Sequence, residues 1–412
     1  MIKYDKFVLD NGLTVIVHQD KSTPFVCMNI LYKVGAIHEN PERTGFAHLF
    51  EHLMFGGSTN IPDYDSPLQV AGGDNNAFTT SDFTNYYLNL PKENIETAFW
   101  LESDRMLSLD FNQKSLDTQK NVVIEEFKQR YFNQPYGDVW LYLRPLAYKE
   151  HPYQWPVIGK KTEHIADANL DNVKDFFFSH YAPNNAIMCV SGNVETENIK
   201  SLSEKWFGDI PRRSLSVKDI KKEPKQKEAR FLKLERDIPL DAIYKAYHMC
   251  DKNNKEFFAT DLLSDVLSNG ESSRLYQNLV KEKQIFQSID AYLSGEVDEG
   301  LFIFSGKLAP NIDIELAEKE LQKEINMIRE EVISEYELEK VKNKVISNLI
   351  YSEVSYMNKA LNLCHYELLG NAAQINQQAE QYKRVSKDDI QNIAKNILND
   401  TNCSTIHYLK KR

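Results

Sequence analysis

The sequence predicts an α+β protein of two homologous domains, each an antiparallel or mixed β-sheet covered by helices and joined by a linker. Strand and helix patterns follow one another in the same order in both halves of the 412-residue chain, although residue identity between the halves is slight. Between the halves lies a polar, Lys-rich and Pro-interrupted segment that is typical of a linker. We therefore predict an N-terminal domain over 1–211, a linker over 212–230 and a C-terminal domain over 231–412.

The first half opens with strand patterns and continues with helices. Two alternating apolar runs flank Asn11 and Gly12, which predicts a β-hairpin. Apolar residues recur at helical spacing from Thr44 to Phe55 and two glycines follow, so we expect a helix there. The remaining predictions are strands in FVCMNILYKVGA and NAFTTSDFTNYYLNLP, helices over about 92–108 and about 113–132, further helix to about 180, and a buried strand in NAIMCVSGNV.

The second half repeats this order of elements. A strand pattern in LDAIYKAYHM precedes helical patterns in KEFFATDLLSDVLS and SSRLYQNLVKEK. Strand patterns follow in SIDAYLSG and LFIFSGKL, then long helices across 313–349, further helix to about 396 and a last strand in CSTIHYL. The repeated order predicts a second copy of the α+β domain.

Composition and charge exclude some classes of protein. Hydrophobic residues make up 42% and charged residues 26%, as in an ordinary globular protein. The net charge of −11 disfavours a nucleic-acid-binding protein, which would need a basic surface to displace counterions. If charge selects a partner, it selects a basic one, such as a Lys/Arg-rich peptide.

The apolar runs of the chain do not predict membrane insertion. Charged residues interrupt the N-terminal segment at Lys3, Asp5, Lys6 and Asp10, and no run of about 18 apolar residues is present. The five cysteines are scattered and mostly lie in apolar contexts, as expected for reduced core residues. We expect a cytoplasmic protein with no membrane partner.

The segment HLFEH, inside the predicted helix over 44–55, has the pattern of a metal site. Residues four apart lie on one face of a helix, so His48 and His52 can direct two imidazoles at one zinc ion. Glu51 lies beside this pair, where a carboxylate can take the proton of an attacking water. Chance placement on an amphipathic helix is the alternative, but H-x-x-E-H is the inverse of the zinc motif H-E-x-x-H.

A catalytic zinc site usually takes three protein ligands, so a third is expected on another rigid element. The helix predicted over about 113–132 contains NVVIEEFKQR, in which Glu125 and Glu126 are both candidates. The residue pattern by itself leaves these two open.

The chain resembles the pitrilysin/insulinase family of zinc metallopeptidases, and within it the smaller type related to the mitochondrial processing peptidase. The resemblance rests on GFAHLFEHLMFGGS, GGDNNAFTTSDFTNYY and NVVIEEFKQR, and further on LDNGLTVIVHQD, HPYQWPVIGK, FFFSHYAPNNAIMCVSGNV and SSRLYQNLVKEK. It therefore extends over essentially the whole chain.

This resemblance implies the residues of the site. By the family pattern one Zn²⁺ per chain is held by His48, His52 and Glu126, and Glu51 is the general base. Many relatives carry a supporting glutamate seven residues before the third ligand, whereas this chain has Gln119 there. The same pattern implies that Asn76 and Ala77 begin a strand that binds the substrate peptide; a simple turn into the strand is the alternative.

The second half departs from the family pattern. Relatives usually carry an Arg and, seven residues later, a Tyr that hold the substrate and stabilise developing charge, but Val280 and Gln287 stand at these positions. We therefore expect a zinc-dependent metalloendopeptidase whose cleft is completed by a homologous partner subunit carrying that pair, in a heterodimer, although a homodimer is possible. The alternative is a non-catalytic, peptide-binding or structural homologue.

Overall fold

Two mixed β-sheets with the same connectivity organise the chain. The computed structural model describes residues 1–215, 219–295 and 297–411, so residues 216–218 of the predicted linker lie outside the described residues. In chain order the strands are β1 Asp5–Val8, β2 Thr14–Gln19, β3 Phe25–Tyr32, β4 Asp74–Thr79, β5 Thr84–Pro91, β6 Ala186–Gly192, β7 Arg230–Arg236, β8 Ala242–His248, β9 Phe286–Leu293, β10 Leu301–Leu308 and β11 Cys403–Lys410.

The helices fill the intervals between the strands. They are α1 Phe46–Leu53, α2 Asp65–Val70, α3 Ile95–Leu107, α4 Gln113–Tyr131, α5 Val139–Ala147, α6 Glu163–Ala166, α7 Leu170–His180, α8 Thr196–Phe207, α9 Phe257–Ser268, α10 Ile314–Glu330, α11 Glu335–Ser352, α12 Tyr356–Leu368, α13 Gln378–Arg384 and α14 Lys387–Ile397. The predicted helix in SSRLYQNLVKEK contains a π-helical segment, Tyr276–Glu282. No helix in the described part of the chain has both the length and the hydropathy that crossing a bilayer requires.

The strand orders show that the two sheets are built alike. The first sheet has the order β1-β2-β6-β3-β5-β4 and the second has the order β7-β11-β8-β10-β9. Strands β2, β6, β3, β5 and β4 of the first sheet correspond to β7, β11, β8, β10 and β9 of the second. In each sheet the first two strands of this series pair in parallel, β2 with β6 and β7 with β11, and the other neighbours pair antiparallel. The predicted fold class, two α+β domains with mixed sheets, is confirmed.

The hairpin predicted at Asn11 and Gly12 is present, because β1 pairs antiparallel with β2. Gly12 has φ +93°, a conformation that favours glycine, and the side-chain amide of Asn11 donates to the carbonyl of Phe207 at 2.7 Å. In contrast, the single strand predicted in NAFTTSDFTNYYLNLP is wrong, since β4 and β5 form a hairpin over this stretch. The amide of Thr80 donates to the carbonyl of Phe83 and closes the turn, because Ser81 and Asp82 are turn-forming residues.

The chain divides into two compact units, each of which contains one sheet. The first unit comprises 1–128, 155–220 and 350–377, and the second comprises 129–154, 221–349 and 378–412. The predicted boundary at 211 and 212 lies near the change of unit at 220, but neither exchanged segment was predicted from the sequence. The domain bounds 1–211, 212–230 and 231–412 remain a prediction.

A late helix completes the core of the first unit. Helix α12 packs against β3 and β6, and the buried residues of this cluster include Cys27, Cys189 and Cys364. All five cysteines are free thiols and four of them are buried, as the apolar contexts predicted. A separate core in the second unit joins its sheet to α9, α10 and α14.

Candidate metal centre

Helix α1 carries the histidines and the first candidate carboxylate. It begins after Gly45, whose φ of +90° is left-handed, and a Cβ at this position would lie 2.6 Å from the carbonyl oxygen of Ile158. The apolar residues of α1 are buried on one side of the helix: Phe46, Leu49, Phe50 and Leu53. The backbone start and the buried apolar side together fix the direction in which the polar side chains of α1 point.

Three potential ligands converge in the first unit. Glu126 Oε2 lies 3.5 Å from His48 Nε2 and 3.6 Å from His52 Nε2, and the two imidazole rings are 4.9 Å apart between centroids. Two atoms bound to one tetrahedral zinc ion at about 2.1 Å lie roughly 3.4 Å from each other. The two His–Glu distances therefore fit one zinc ion, and nitrogen with carboxylate oxygen is a donor set that zinc accepts.

Within the described residues, this is the one group of three His, Cys, Asp or Glu side chains close enough to hold an ion. His48 is buried, while His52 and Glu126 are half-buried, so the group is partly accessible to solvent. An open side is what a catalytic zinc site needs for water and substrate, whereas a structural site is closed.

The two candidate glutamates of α4 lie in different surroundings. Glu125 is exposed and pairs with Lys128 at 2.7 Å, one turn further along the same helix. Glu126 points towards the histidines of α1. The structure thus brings Glu126 to the group and leaves Glu125 outside it, because consecutive helical residues point about 100° apart.

Glu51 lies beside the three potential ligands and is held by a strand. Thr79 Oγ1, at the end of β4, donates a hydrogen bond to Glu51 Oε2 at 2.5 Å. Burial raises the pKa of the Glu51 carboxyl above its ordinary value, and the hydrogen bond from Thr79 opposes this rise. A general base with a raised pKa binds the proton of water more strongly than an exposed carboxylate does.

Strand β4 is the edge of the first sheet and carries both predicted substrate residues. It pairs with β5 along one side, with Asn76 opposite Tyr87 and Ala77 opposite Tyr86. No strand covers its other side in the part of the chain that the structure describes. The backbone amide of Ala77 donates to the side-chain oxygen of Asn76 at 2.8 Å, and Asn76 is exposed. The open edge offers main-chain groups to an extended peptide.

Positions 280 and 287, where relatives carry an Arg and a Tyr, hold a Val and a Gln in this chain. They therefore supply neither a guanidinium nor a phenol to a substrate. Val280 packs against the core of the second unit, and Gln287 is an exposed residue of β9. Gln119 lies about two turns before Glu126 on α4 and is half-buried.

Two contacts of this site were not predicted from the sequence. The sequence places Thr79 only within a strand pattern and does not single out Glu39. In the structure the Glu39 carboxylate accepts the backbone amides of Gly45 and Ala47 at the start of α1. No helix-start signal points to Glu39, because such signals lie at the N-cap and in the first turn, and Glu39 comes six residues before the N-cap Gly45. The contact of Thr79 depends on the hairpin of β4 and β5, which the sequence did not reveal.

Two family models match the chain. One, described as insulinase (peptidase family M16), matches residues 14–159, and the other, described as the M16 inactive domain, matches residues 167–345.

Individual relatives extend this likeness over the full length. The zinc protease PqqE of Helicobacter pylori is 29% identical over 412 residues, which cover 98% of this chain and 92% of that protein. The beta subunit of the mitochondrial processing peptidase of Saccharomyces cerevisiae is 26% identical over 207 residues, covering 50% of this chain and 44% of that subunit. The crystal structure of a protease from Helicobacter pylori superposes with a TM-score of 0.93 at 28% identity, covering 99% of this chain and 100% of that one.

The matches agree with one another in sequence and in fold. Two models of one peptidase family together match most of the chain, a zinc protease matches it over nearly its full length in sequence, and a protease of known structure shares its fold. The chain therefore belongs to the insulinase family of metallopeptidases.

Proposed function

We propose that this protein is a zinc-dependent metalloendopeptidase that hydrolyses extended peptides or small unfolded proteins. The observation that carries the proposal is the convergence of His48, His52 and Glu126 beside Glu51, next to the open edge of β4. The names of the relatives, which are zinc proteases, agree with a peptidase.

Each residue has a role that follows from its position. His48, His52 and Glu126 would hold one zinc ion, which supplies Lewis-acid chemistry and makes water a better nucleophile. Glu51 takes the proton of the water that attacks the peptide carbonyl and then gives it to the leaving amine. Thr79 keeps the Glu51 carboxylate in place through its hydrogen bond.

The substrate would bind as an added strand along β4. Main-chain pairing at Asn76 and Ala77 places an extended peptide beside α1, where Glu51 and the potential ligands lie. Because this mode of binding reads the main chain, it favours peptides that are unfolded over a short stretch and sets little requirement on their side chains.

A partner subunit is the second part of the proposal. Val280 and Gln287 supply neither a cation nor a phenol, so the stabilisation of developing charge would come from an Arg and a Tyr of a homologous chain. Resemblance to one subunit of the mitochondrial processing peptidase favours such a heterodimer. A cytoplasmic location, predicted from the sequence, remains part of this proposal.

Substitution of the base tests the enzymatic function. Glu51→Gln removes a proton acceptor without removing a ligand, so zinc content should stay at one per chain while hydrolysis of a fluorogenic peptide falls by about 10²–10⁴-fold. An equal rate for this variant and for the wild-type chain would favour the non-catalytic, peptide-binding alternative.

Reconstitution tests the dependence on a partner. The purified chain alone should hydrolyse peptides slowly, and the rate should rise when a related chain carrying the Arg and Tyr is added. Full turnover by the isolated chain, whether it is monomeric or a homodimer, would reject the partner while leaving the zinc peptidase intact.

A further inference from the structure

Glu39 is a buried acidic residue that contacts the start of α1. Its side chain is 3% exposed. One carboxylate oxygen accepts the backbone amide of Gly45 and the other accepts that of Ala47, both at 2.8 Å. The first amides of a helix have no partner within the helix, so this carboxylate satisfies two groups that would otherwise be unpaired.

Burying a charge costs free energy unless hydrogen bonds and favourable partial charges compensate for it. At Glu39 the compensation comes from the amides and from the positive end of the helix dipole of α1. The N-cap residue itself does not provide this cap, because Gly45 has no side chain. The start of α1 therefore depends on a residue outside the helix.

The segment that carries Glu39 is itself attached to the end of β4. The amide of Ile37 donates to the carbonyl of Ser81 at 2.9 Å and that of Ala36 to the carbonyl of Thr80 at 3.3 Å. On its other side, the indole nitrogen of Trp155 donates to the carbonyl of Ala36 at 3.1 Å. These bonds place the Glu39 carboxylate at a fixed position relative to the hairpin of β4 and β5.

Helix α1 is thereby tied to the β4 hairpin at both ends. Glu39 holds the first turn, and Thr79 holds Glu51 in the last turn. The helix has eight residues, little more than two turns, and His48 is its third residue. Loss of the first turn would displace His48, whereas His52 would keep the contacts of the second turn.

We propose that Glu39 is a positioning residue for the metal centre: by capping α1 it fixes His48 relative to His52 and Glu126 and so sets the affinity for zinc. This inference depends on the metal site of the proposed function, but it concerns a residue that is not one of the ligands. Changes to groups that orient metal ligands typically cost about 10–100-fold in metal affinity.

The test compares metal affinity in variants of the full chain. In Glu39→Gln an NH₂ group replaces one of the two acceptor oxygens, so one of the two amides loses its acceptor and the charge is removed. The zinc dissociation constant, measured by competition with a chromophoric chelator, should therefore rise about 10–100-fold. The visible spectrum of the Co²⁺-substituted protein should also change, because the coordination geometry changes. Glu39→Asp keeps the charge but is one methylene shorter, so it should restore part of the affinity.

A matched control separates positioning from general stability. Asp313 caps α10 in the second unit by accepting the amides of Glu315 and Leu316 at 3.1 and 3.2 Å. Asp313→Ala removes the accepting side chain, so it should lower the melting temperature as a lost cap does, and leave zinc affinity and the Co²⁺ spectrum unchanged.

The outcomes distinguish this inference from the proposed function. If wild-type protein binds no zinc, the proposed function is wrong. If wild type binds zinc and Glu39→Gln binds it equally well, only the role of Glu39 is wrong. Should Glu39→Gln not fold, Glu39→Asp decides: wild-type affinity and spectrum in that variant would overturn the inference, and weaker binding would support it.

Discussion

The helix that follows the central strand in chain order differs between the two units, although the sheets have the same connectivity. In the first unit this helix is α1, after β3, and in the second it is α9, after β8. Each helix contacts the edge strand of its sheet, β4 in the first unit and β9 in the second, and that edge strand is the first strand of a hairpin. Helix α1 presents His48, Glu51 and His52, whereas the sequence of α9, FFATDLLSDVLS, contains no histidine.

The groove beside α9 is lined by acidic residues that do not form a group of potential metal ligands. A cavity of about 540 Å³ lies there, and its lining includes Asp261, Asp265 and Asp290. None of these is close to two further ligand side chains among the described residues. The family model described as the M16 inactive domain matches residues 167–345, a range that includes α9, and agrees with this difference. One topology thus carries a group of potential metal ligands in one unit and no such group among the described residues of the other, because function depends on the side chains placed on the fold.

Removal of one potential zinc ligand should have the largest effect, because it should abolish the zinc binding that distinguishes the first unit from the second. His52→Gln leaves His48 and Glu126 without their third partner, so zinc content should fall from one per chain to near zero and hydrolysis should be lost. The affinity should fall by more than the roughly 10–100-fold cost of changing an outer residue. Zinc content by atomic absorption measures this, and Asp265→Asn on α9 is the control that should keep its zinc.

Metal removal should then affect one unit only. A ligand present at 1,000 times its dissociation constant stabilises the folded state by about 4 kcal/mol, so chelation should remove a stabilisation of that order. Hydrogen exchange read by mass spectrometry should show faster exchange in α1 and α4 and no change in α9 and β9. Equal acceleration in both units would contradict a metal site confined to the first.

Two glycines with the same φ angle offer a matched pair. Gly45 and Gly270 both have φ +90°, but a Cβ at Gly45 would lie 2.6 Å from the carbonyl oxygen of Ile158, and one at Gly270 would meet only the end of Lys344 at 3.4 Å. Gly45→Ala should lower the free energy of unfolding by about 3 kcal/mol, from the left-handed conformation and the backbone clash together. Gly270→Ala should cost about 1 kcal/mol.

Chemical denaturation of both variants measures this difference. Similar losses in the two proteins would mean that the close approach of the 155–160 segment to the start of α1 does not constrain the helix.

The smallest expected effect concerns a carboxyl of α9. Burial raises the pKa of Asp265 from 3.8 to about 6, while hydrogen bonding by Asn269 opposes the rise. Between these two values the folded protein binds more protons than the unfolded chain, so wild-type stability falls as pH rises through this range. Asp261 adds to the shift and Lys344 reduces it.

An amide at position 265 does not titrate, so Asp265→Asn should be more stable than wild type at pH 8, by on the order of 1 kcal/mol, and about equal to it at pH 4. Thermal unfolding at the two pH values measures the difference. A variant that is less stable at pH 8 would show that the charged form of Asp265 makes a favourable contact.

Local patterns were sufficient for most of the fold. The hairpin at Asn11 and Gly12, helix α1 and the repeated order of strands and helices follow from turn residues and apolar spacing, which act over short stretches. The hairpin of β4 and β5 was missed because β-branched and aromatic residues continue through the turn at Ser81 and Asp82. The packing of α12 in the first unit could not be predicted, since it depends on a contact between distant parts of the chain.

By itself, the sequence determined the candidate residues of the site: the spacing of His48, Glu51 and His52 on one helix, and a pair of glutamates on another. The family resemblance selected Glu126 from that pair, and the structure places its carboxylate 3.5 Å from His48 and 3.6 Å from His52. Only the tertiary structure decided that Thr79 bonds Glu51 and that Glu39 caps α1. The reason is physical: spacing along a helix fixes which side chains share a face, but contacts between elements depend on how separate elements pack, and that is settled by the whole core.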